Sequence, residues 1–259
     1  MSGPIALHGG GEFLPGDEPF LAAILDLAAR RVGGDRPIRV AIVPTAAARG
    51  RPDLAAANGV GAFERVAAAA GLDIRVAAVA VVDEASAADP ALAARLAEAD
   101  LIHLPGGDPD LIPTILGGSR AWTAIGTAYG SGAVLAGASA GAMALANWTW
   151  TPRGGIVGLG VVPGLVVVPH ADAAAWSSAI ERFGRDVPPG LGALGLEERT
   201  GVISEDPDDR AGHGGIEWRV VGPGEARWLP AQNGETIVRR SGESLRTAIP
   251  SRDGPSPSG

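Results

Sequence analysis

The sequence predicts a single α/β domain, a mostly parallel sheet with helices packed on both of its faces, and three observations carry that expectation. Short apolar runs alternate with helical apolar patterns through the first hundred residues, no internal repeat or long linker divides the 259 residues, and beyond Asn147 the pattern changes to short β runs separated by turn signals. With 46% hydrophobic residues the chain is long enough to bury one large core.

Ile5–His8 reads as a short strand running into Gly9-Gly10-Gly11, and residues 18–31 place Phe20, Leu21, Ile24, Leu25 and Leu27 on one helical face. A strand over 38–43, a helix over 63–70, a strand over 74–82, a helix over 91–99 and a strand over 101–104 continue the βαβ rhythm. That rhythm implies parallel strands covered on both sides. Two short helices, 111–116 and 121–128, precede a strand over 133–136 and an Ala-rich helix over 140–146. Residues 166–169 form a strand ending on His170, residues 173–183 a helix, and residues 194–203 one extended segment. Runs over 216–221, 226–229 and 236–239, punctuated by Gly222-Pro223-Gly224 and Gln232-Asn233-Gly234, read as an antiparallel meander closing one edge. The domain is expected to occupy 1–250, and the stretch 251–259, rich in Pro, Ser and Gly, to be a frayed tail.

Composition excludes several classes of function. All 21 basic residues are arginine, against 29 acidic ones, and the resulting charge of −8 argues against a polyanion-binding surface, so no nucleic-acid partner is expected. The absence of Cys removes disulfides, thiolate catalysis and Cys-based zinc sites. Met1-Ser2-Gly3-Pro4 carries no basic leader, and no run approaches the roughly 18 apolar residues of a membrane span. A cytoplasmic protein with no membrane partner is the expectation; a homodimer is compatible with it.

The most informative stretch is Gly137-Ala138-Ser139-Ala140-Gly141, between an apolar strand and a helix. A nucleophilic serine is held out of the backbone on such a strand-to-helix turn. Small flanking residues tolerate the strained backbone, leave room for a reacting carbonyl, and start the helix close to the strand, where its N-terminus favours developing negative charge. The alternative is a plain tight turn.

A serine hydroxyl needs a base, and four histidines are available. His8 and His103 lie in or at the end of strands, and His213 lies in the Gly-rich loop Ala211 to Gly215. His170 is best placed, because its strand is expected in the same sheet as that of Ser139, ending at the same edge. The third member is a carboxylate that orients the imidazole. In an extended segment Glu198 shares a face with Leu194 and Leu196 while Glu197 points the other way, which makes Glu198 the half-buried acid; a solvated strand end neutralised by Arg199 is the competing reading. Gly106-Gly107-Asp108, after the strand 101–104, supplies a candidate oxyanion hole in the amide of Gly107, with the amide of Ala140 as second donor. Gly106 and Asp108 are expected to line the substrate. Asp108 as N-cap of the next helix is the plainer alternative.

Taken in order, Leu7-His8-Gly9-Gly10-Gly11-Glu12, Leu104-Pro105-Gly106-Gly107-Asp108, Gly137 to Ala142 and Val168-Pro169-His170 resemble the serine-peptidase family that contains aspartyl dipeptidase and cyanophycinase, over roughly residues 4 to 205. The resemblance implies a three-layer α/β/α sheet like that of class I glutamine amidotransferases, with Ser139 as nucleophile and His170 as base. It places the acid at Glu198, as in the cyanophycinase branch, because no Asp stands between Ser139 and His170 where the dipeptidase branch would have one. Two departures limit what the resemblance implies about substrate. Pro109 stands where cyanophycinases have Gln, and Ala171-Asp172-Ala173-Ala174-Ala175-Trp176 replaces an aromatic with several arginines. Trp148, Trp150 and Trp176 offer a pocket wall in their place, or ordinary packing.

The expected function is therefore a serine peptidase acting on a small peptide or isopeptide through Ser139, His170 and Glu198, with no metal or cofactor. One rival is an esterase using Asp206 or Asp208 with His213; another is a non-catalytic metabolite-binding protein that cradles an anion at Gly9-Gly10-Gly11.

Overall fold

The computed structural model describes residues 2–151, 154–205, 215–231 and 234–248. In chain order the elements of the first half are β1 (Ile5–His8), α1 (Glu18–Val32), β2 (Ile38–Ile42), α2 (Pro52–Ala70), β3 (Ile74–Ala78), α3 (Glu84–Ala88), α4 (Pro90–Ala97), β4 (Leu101–Leu104), α5 (Leu111–Leu116), α6 (Arg120–Gly130), β5 (Val134–Ala138) and α7 (Ala140–Leu145). The second half adds β6 (Trp148–Thr149), β7 (Ile156–Val157), β8 (Leu165–Val168), α8 (Ala173–Asp186), β9 (Gly192–Leu196), β10 (Gly201–Ser204), β11 (Gly215–Val221), β12 (Glu225–Leu229), β13 (Ile237–Arg240) and β14 (Ser244–Ala248).

The main sheet has eight strands in the order β14-β11-β10-β1-β5-β4-β2-β3. Its half from β1 to β3 is parallel, and β10, β11 and β14 extend it antiparallel beyond β1. Alternation along each strand feeds two cores. Ala6, Val40, Ile42, Leu101 and Val134 face α1 and α2, where Phe20, Leu21, Ile24, Phe63 and Val66 are buried. Ile5, Leu7, Ala41, Ile102 and Leu135 face the other way, toward the helices that carry Ile112, Ala121, Ile125 and Leu145. Both faces of β1, β4 and β5 are covered, which is why these strands are buried throughout; β2 and β3, toward the edge of the sheet, each carry an exposed arginine, Arg39 and Arg75. Among the described residues no helix is long and apolar enough to cross a membrane.

Several elements differ from the expectation. The helix expected over 63–70 begins at Pro52; Gly59 and Gly61 mask its first half. Gly59 is where α2 meets the sheet, since a Cβ there would lie 3.0 Å from Ile42 Cγ2. β3 stops at Ala78, after which the chain turns away with Val79 and Val81 buried. The segment 194–203 is two strands belonging to different sheets, β9 and β10. The strand before His170 is not in the main sheet: β8 pairs parallel with β9 in a second sheet, β13-β12-β9-β8, covered by α8 through Trp176 and Ala179. The expected C-terminal meander is likewise shared out, β11 going to the main sheet and β12 and β13 to the second. The tail 251–259 lies outside the described residues.

Candidate active site

Strands β1, β5 and β4 are neighbours in register, His8 paired with Ala138 and Leu104 with Gly137, so the loops leaving their C-terminal ends meet. These are the glycine loop after β1, the Gly106-Gly107 turn after β4, and the turn at Ser139. A parallel sheet places reactive groups at this edge.

Ser139 has φ 48° and ψ −113°. A residue other than glycine occupies such a conformation at a cost of roughly 1–3 kcal/mol. The flanking glycines make the turn sterically feasible, because a Cβ on Gly137 would sit 2.5 Å from the Gly141 carbonyl carbon and one on Gly141 would collide with the Leu104 carbonyl oxygen. The Ser139 N–H donates to the His8 carbonyl at 2.9 Å, tying the turn to β1.

His170 arrives from the second sheet and docks on the glycine loop: its N–H donates to the Gly9 carbonyl at 2.7 Å, and its φ of 51° turns the ring toward Ser139. A side chain at Gly10 would collide with that ring, and a Cβ at Gly11 would lie 3.3 Å from Glu198 Oε2. Nε2 lies 3.0 Å from Ser139 Oγ, and Nδ1 lies 3.0 Å from Glu198 Oε1. Glu198 sits in the turn between β9 and β10, which is stitched to the same loop by Arg199 N–H to the Gly10 carbonyl at 2.7 Å and Gly9 N–H to the Thr200 carbonyl at 2.9 Å. The three glycines are thus the bed on which the serine, histidine and glutamate segments meet.

Two steps of the sequence reasoning need correction. His170 shares the edge with Ser139 without sharing its sheet. Strand alternation does not set the facing of Glu198 either, since β9 ends at Leu196 and Arg199, with φ 55°, bends the chain. Glu198 is half exposed, at 49%, and Glu197 is the more buried of the two, at 25%. Glu197 is engaged elsewhere, 2.8 Å from the Arg227 guanidinium. Arg199 neutralises neither acid; it donates to the Pro15 carbonyl at 3.4 Å.

At the Gly106-Gly107 turn a Cβ on Gly106 would lie 3.1 Å from Ser139 Cβ. Among the described residues neither the Gly107 nor the Ala140 N–H donates to another group, while the amides on either side of Gly107 are held. Asp108 N–H donates to the Ala46 carbonyl at 2.7 Å, and Gly106 N–H donates to Glu12 Oε1 at 2.7 Å. Sequence reasoning gave Glu12 no role; its only trace was its place after three glycines. Asp108 does not cap α5, whose N-cap is Asp110; it accepts from Asp110 N–H at 3.2 Å and pairs with Arg49.

The other histidines are placed differently. His8 Nε2 lies 2.9 Å from Asp17 Oδ1, both fully buried, and His8 Nδ1 accepts the Gly10 N–H at 3.3 Å. His103 is enclosed by the Phe13 and Phe63 rings, and burial pushes it down to about 3. His213, Asp206 and Asp208 lie outside the described residues. Of the three tryptophans, Trp176 is core, its ring filling the space a Cβ at Gly195 would occupy, and Trp148 packs over Gly155. Trp150 does line a cavity, with Met143, Pro169 and Arg182.

The model of peptidase family S51 matches residues 5–206. Among solved structures, a peptidase from an acI-B1 Actinobacterium is 24% identical with a TM-score of 0.76, over 95% of this chain and 97% of that one. A putative peptidase E protein from Listeria monocytogenes EGD-e is 14% identical with a TM-score of 0.52, over 93% and 99% of the two chains. No curated protein matches.

Proposed function

Because this chain belongs to peptidase family S51, we propose that it is a serine peptidase hydrolysing amide bonds of small peptides or isopeptides, with Ser139 as nucleophile, His170 as base and Glu198 as orienting acid. The observation that carries the reading is the continuous relay of 3.0 Å from Ser139 Oγ to His170 Nε2 and 3.0 Å from His170 Nδ1 to Glu198 Oε1, mounted on a strained serine. In it the Nδ1 proton faces the carboxylate and the Nε2 lone pair faces the hydroxyl.

Ser139 Oγ attacks the carbonyl carbon as its proton passes to His170 Nε2. The carbonyl π electrons move onto oxygen, which the free amides of Gly107 and Ala140 receive, and Glu198 stabilises the imidazolium. Collapse expels the amine, which takes the proton from Nε2 and leaves an ester on Ser139. Water, deprotonated by the same nitrogen, repeats the sequence and releases the acid.

The binding-protein alternative loses its anion cradle, because the space above Gly10 and Gly11 is filled by His170 and Glu198. A fluorophosphonate probe tests the proposal: it should label the wild-type chain and not Ser139→Ala, whose fold is unchanged because α7 does not use the hydroxyl as a cap. A folded wild-type chain that stays unlabelled would overturn it.

A further inference from the structure

β3 is the outermost strand of the parallel half, and among the described residues it pairs only with β2. Ile38 N–H donates to the Asp73 carbonyl and Val79 N–H to the Ile42 carbonyl, each at 2.9 Å, so residues 73, 75, 77 and 79 turn their backbone groups toward β2. By alternation Ile74, Val76 and Ala78 turn theirs outward. Among the described residues the one outward group with a partner is the Ala78 carbonyl, which accepts from the Arg95 guanidinium at 2.9 Å. Ile74 and Val76 present an open sheet edge.

Each face of this edge carries a hollow, and the two differ in charge. On the α2 face a cavity of about 570 Å³ is walled by Ala56, Val60, Ala78 and Val82, with Asp53 and Glu64 as its charged members. On the opposite face one of about 200 Å³ lies over Ala41 and Ala77 and is ringed by Arg39, Arg75 and Arg95 against a single carboxylate, Glu98. On a chain of net charge −8 this is a local excess of positive charge. Arg39 and Arg75 stand directly beside each other in the ladder, where like charges repel. Glu98, 3.2 Å from Arg39, answers one of them; Arg75 has no hydrogen bond or ion pair among the described residues.

Charged side chains on an edge strand keep copies of a chain from pairing. That accounts for Arg75 and disfavours a second copy as occupant, since two β3 edges would bring these arginines together. It does not account for the convergence of Arg39 and Arg95 on the same hollow, or for the apolar cavity on the other face. We propose that β3 is a docking edge for an extended segment of another protein, one in which acidic side chains alternate with bulky apolar ones. The segment's backbone continues the sheet beyond Ile74 and Val76. Its carboxylates face Arg39, Arg75 and Arg95, and its apolar side chains enter the α2-side cavity, where Asp53 and Glu64 would repel an acid. In strand addition of this kind the backbone pairing supplies affinity and the hollows for alternate side chains set the sequence. β2 and β4 separate β3 from β5, so the docking edge is independent of the reaction at Ser139.

Short random peptides displayed on phage test this, with the immobilised full chain carrying Ser139→Ala as bait so that cleavage cannot consume a ligand. Alternating acidic and apolar residues should dominate the selected sequences, and a synthetic peptide of their consensus should slow amide hydrogen exchange at Ile74 and Val76. Val76→Pro should abolish its binding, because proline there removes an outward donor that the pairing with β2 does not use. Arg75→Glu, an exposed substitution, should weaken the same peptide by roughly tenfold or more through like-charge repulsion, and a fresh selection on that variant should no longer return acids. If Val76→Pro fails to fold, the change in selected charge at Arg75→Glu decides the matter alone. Selection of nothing, selection without acidic residues, or binding that survives the charge reversal would overturn the proposal. So would a wild-type chain that sediments as a dimer and becomes a monomer on Val76→Pro, which would give the edge to a second copy.

Discussion

His8 with Asp17 and His170 with Glu198 are two imidazole–carboxylate couples of nearly equal length, 2.9 Å and 3.0 Å, and both touch Gly10. They differ in what the second ring nitrogen meets. In the buried couple Nδ1 accepts the Gly10 N–H, so the proton must sit on Nε2 toward Asp17, whose other oxygen accepts the Phe13 N–H at 2.9 Å. Every group is spent on the loop. In the half-exposed couple the partners are exchanged: Nδ1 faces the carboxylate and Nε2 is left to a hydroxyl on a strained turn. The same pair of residues is a loop anchor in one place and, on the function proposed above, a relay in the other. What separates them is the third partner and the access of water.

Replacing the histidines should break the symmetry most sharply. His170→Ala is expected to lose about 10⁴-fold or more in kcat/KM, since a triad member acts as part of a unit, with the melting temperature nearly unchanged. His8→Ala should do the reverse in kind, unfolding at lower denaturant because it strands Asp17 and the Gly10 N–H in the interior. Denaturation midpoints and kcat/KM measured on the same preparations decide it. Loss of stability in the first variant and loss of chemistry alone in the second would invert the assignment.

The acids sharpen the contrast at somewhat smaller effect. Glu198→Gln should lower kcat by roughly 10²–10⁴, because the amide cannot stabilise an imidazolium and can impose the wrong tautomer. Glu197→Gln should leave kcat close to wild type; its carboxylate serves Arg227, which is nearly buried and keeps Glu225 at 2.6 Å as a second partner. Asp17→Asn should cost about 2–4 kcal/mol of stability, the range for disturbing a buried charged hydrogen-bond network. Equal small effects on kcat at 197 and 198 would mean that neither orients His170.

How much of this was legible in the sequence follows from what each element depends on. The strands of the parallel half and the elbow at Ser139 depend on local pattern: apolar runs buried on both faces, and glycines where a Cβ has no room. Those were readable. The sheet to which β8 belongs depends on partners distant in the chain, and no periodicity within Leu165–Val168 encodes it. Glu198 lies beside His170, but alternation does not put it there, since the bend at Arg199 cancels it. The glycines after β1 resemble a phosphate cradle by composition; only the ring of His170, thirty-odd positions beyond the serine, shows what they accommodate.

Glu12 extends the comparison to the third loop. By accepting the Gly106 N–H it fixes the turn in which the Gly107 N–H donates to no other group among the described residues, and on the proposed mechanism it acts on the reacting oxygen through the backbone alone. Glu12→Ala should lower kcat by about 10- to 10²-fold, less than removal of an oxyanion donor itself, with KM little changed. Glu12→Gln keeps an acceptor oxygen and should restore most of the rate. Equal losses in the two variants would show that the charge matters and the hydrogen bond does not.

His103 completes the series as a histidine whose ring nitrogens make no hydrogen bond among the described residues. Burial pushes it down to about 3, against the ordinary 6.5, so the native state keeps it neutral where an unfolded chain would bind a proton. The sign follows from linkage: its contribution is fully present above pH ~6.5 and is lost as pH falls toward 3, at up to about 1.4 kcal/mol per pH unit. At neutral pH no protonation of the unfolded chain draws on it, so nothing of that contribution is lost, which makes this the smallest effect under ordinary conditions. His103→Leu should therefore match or slightly exceed wild type at pH 7.5, because both ring nitrogens are buried and unpartnered, and it should lose less stability on going to pH 5. Urea midpoints at the two pH values measure the difference. Parallel loss in wild type and variant would mean that the native chain does protonate His103, and that its packing between Phe13 and Phe63 is open enough to admit water.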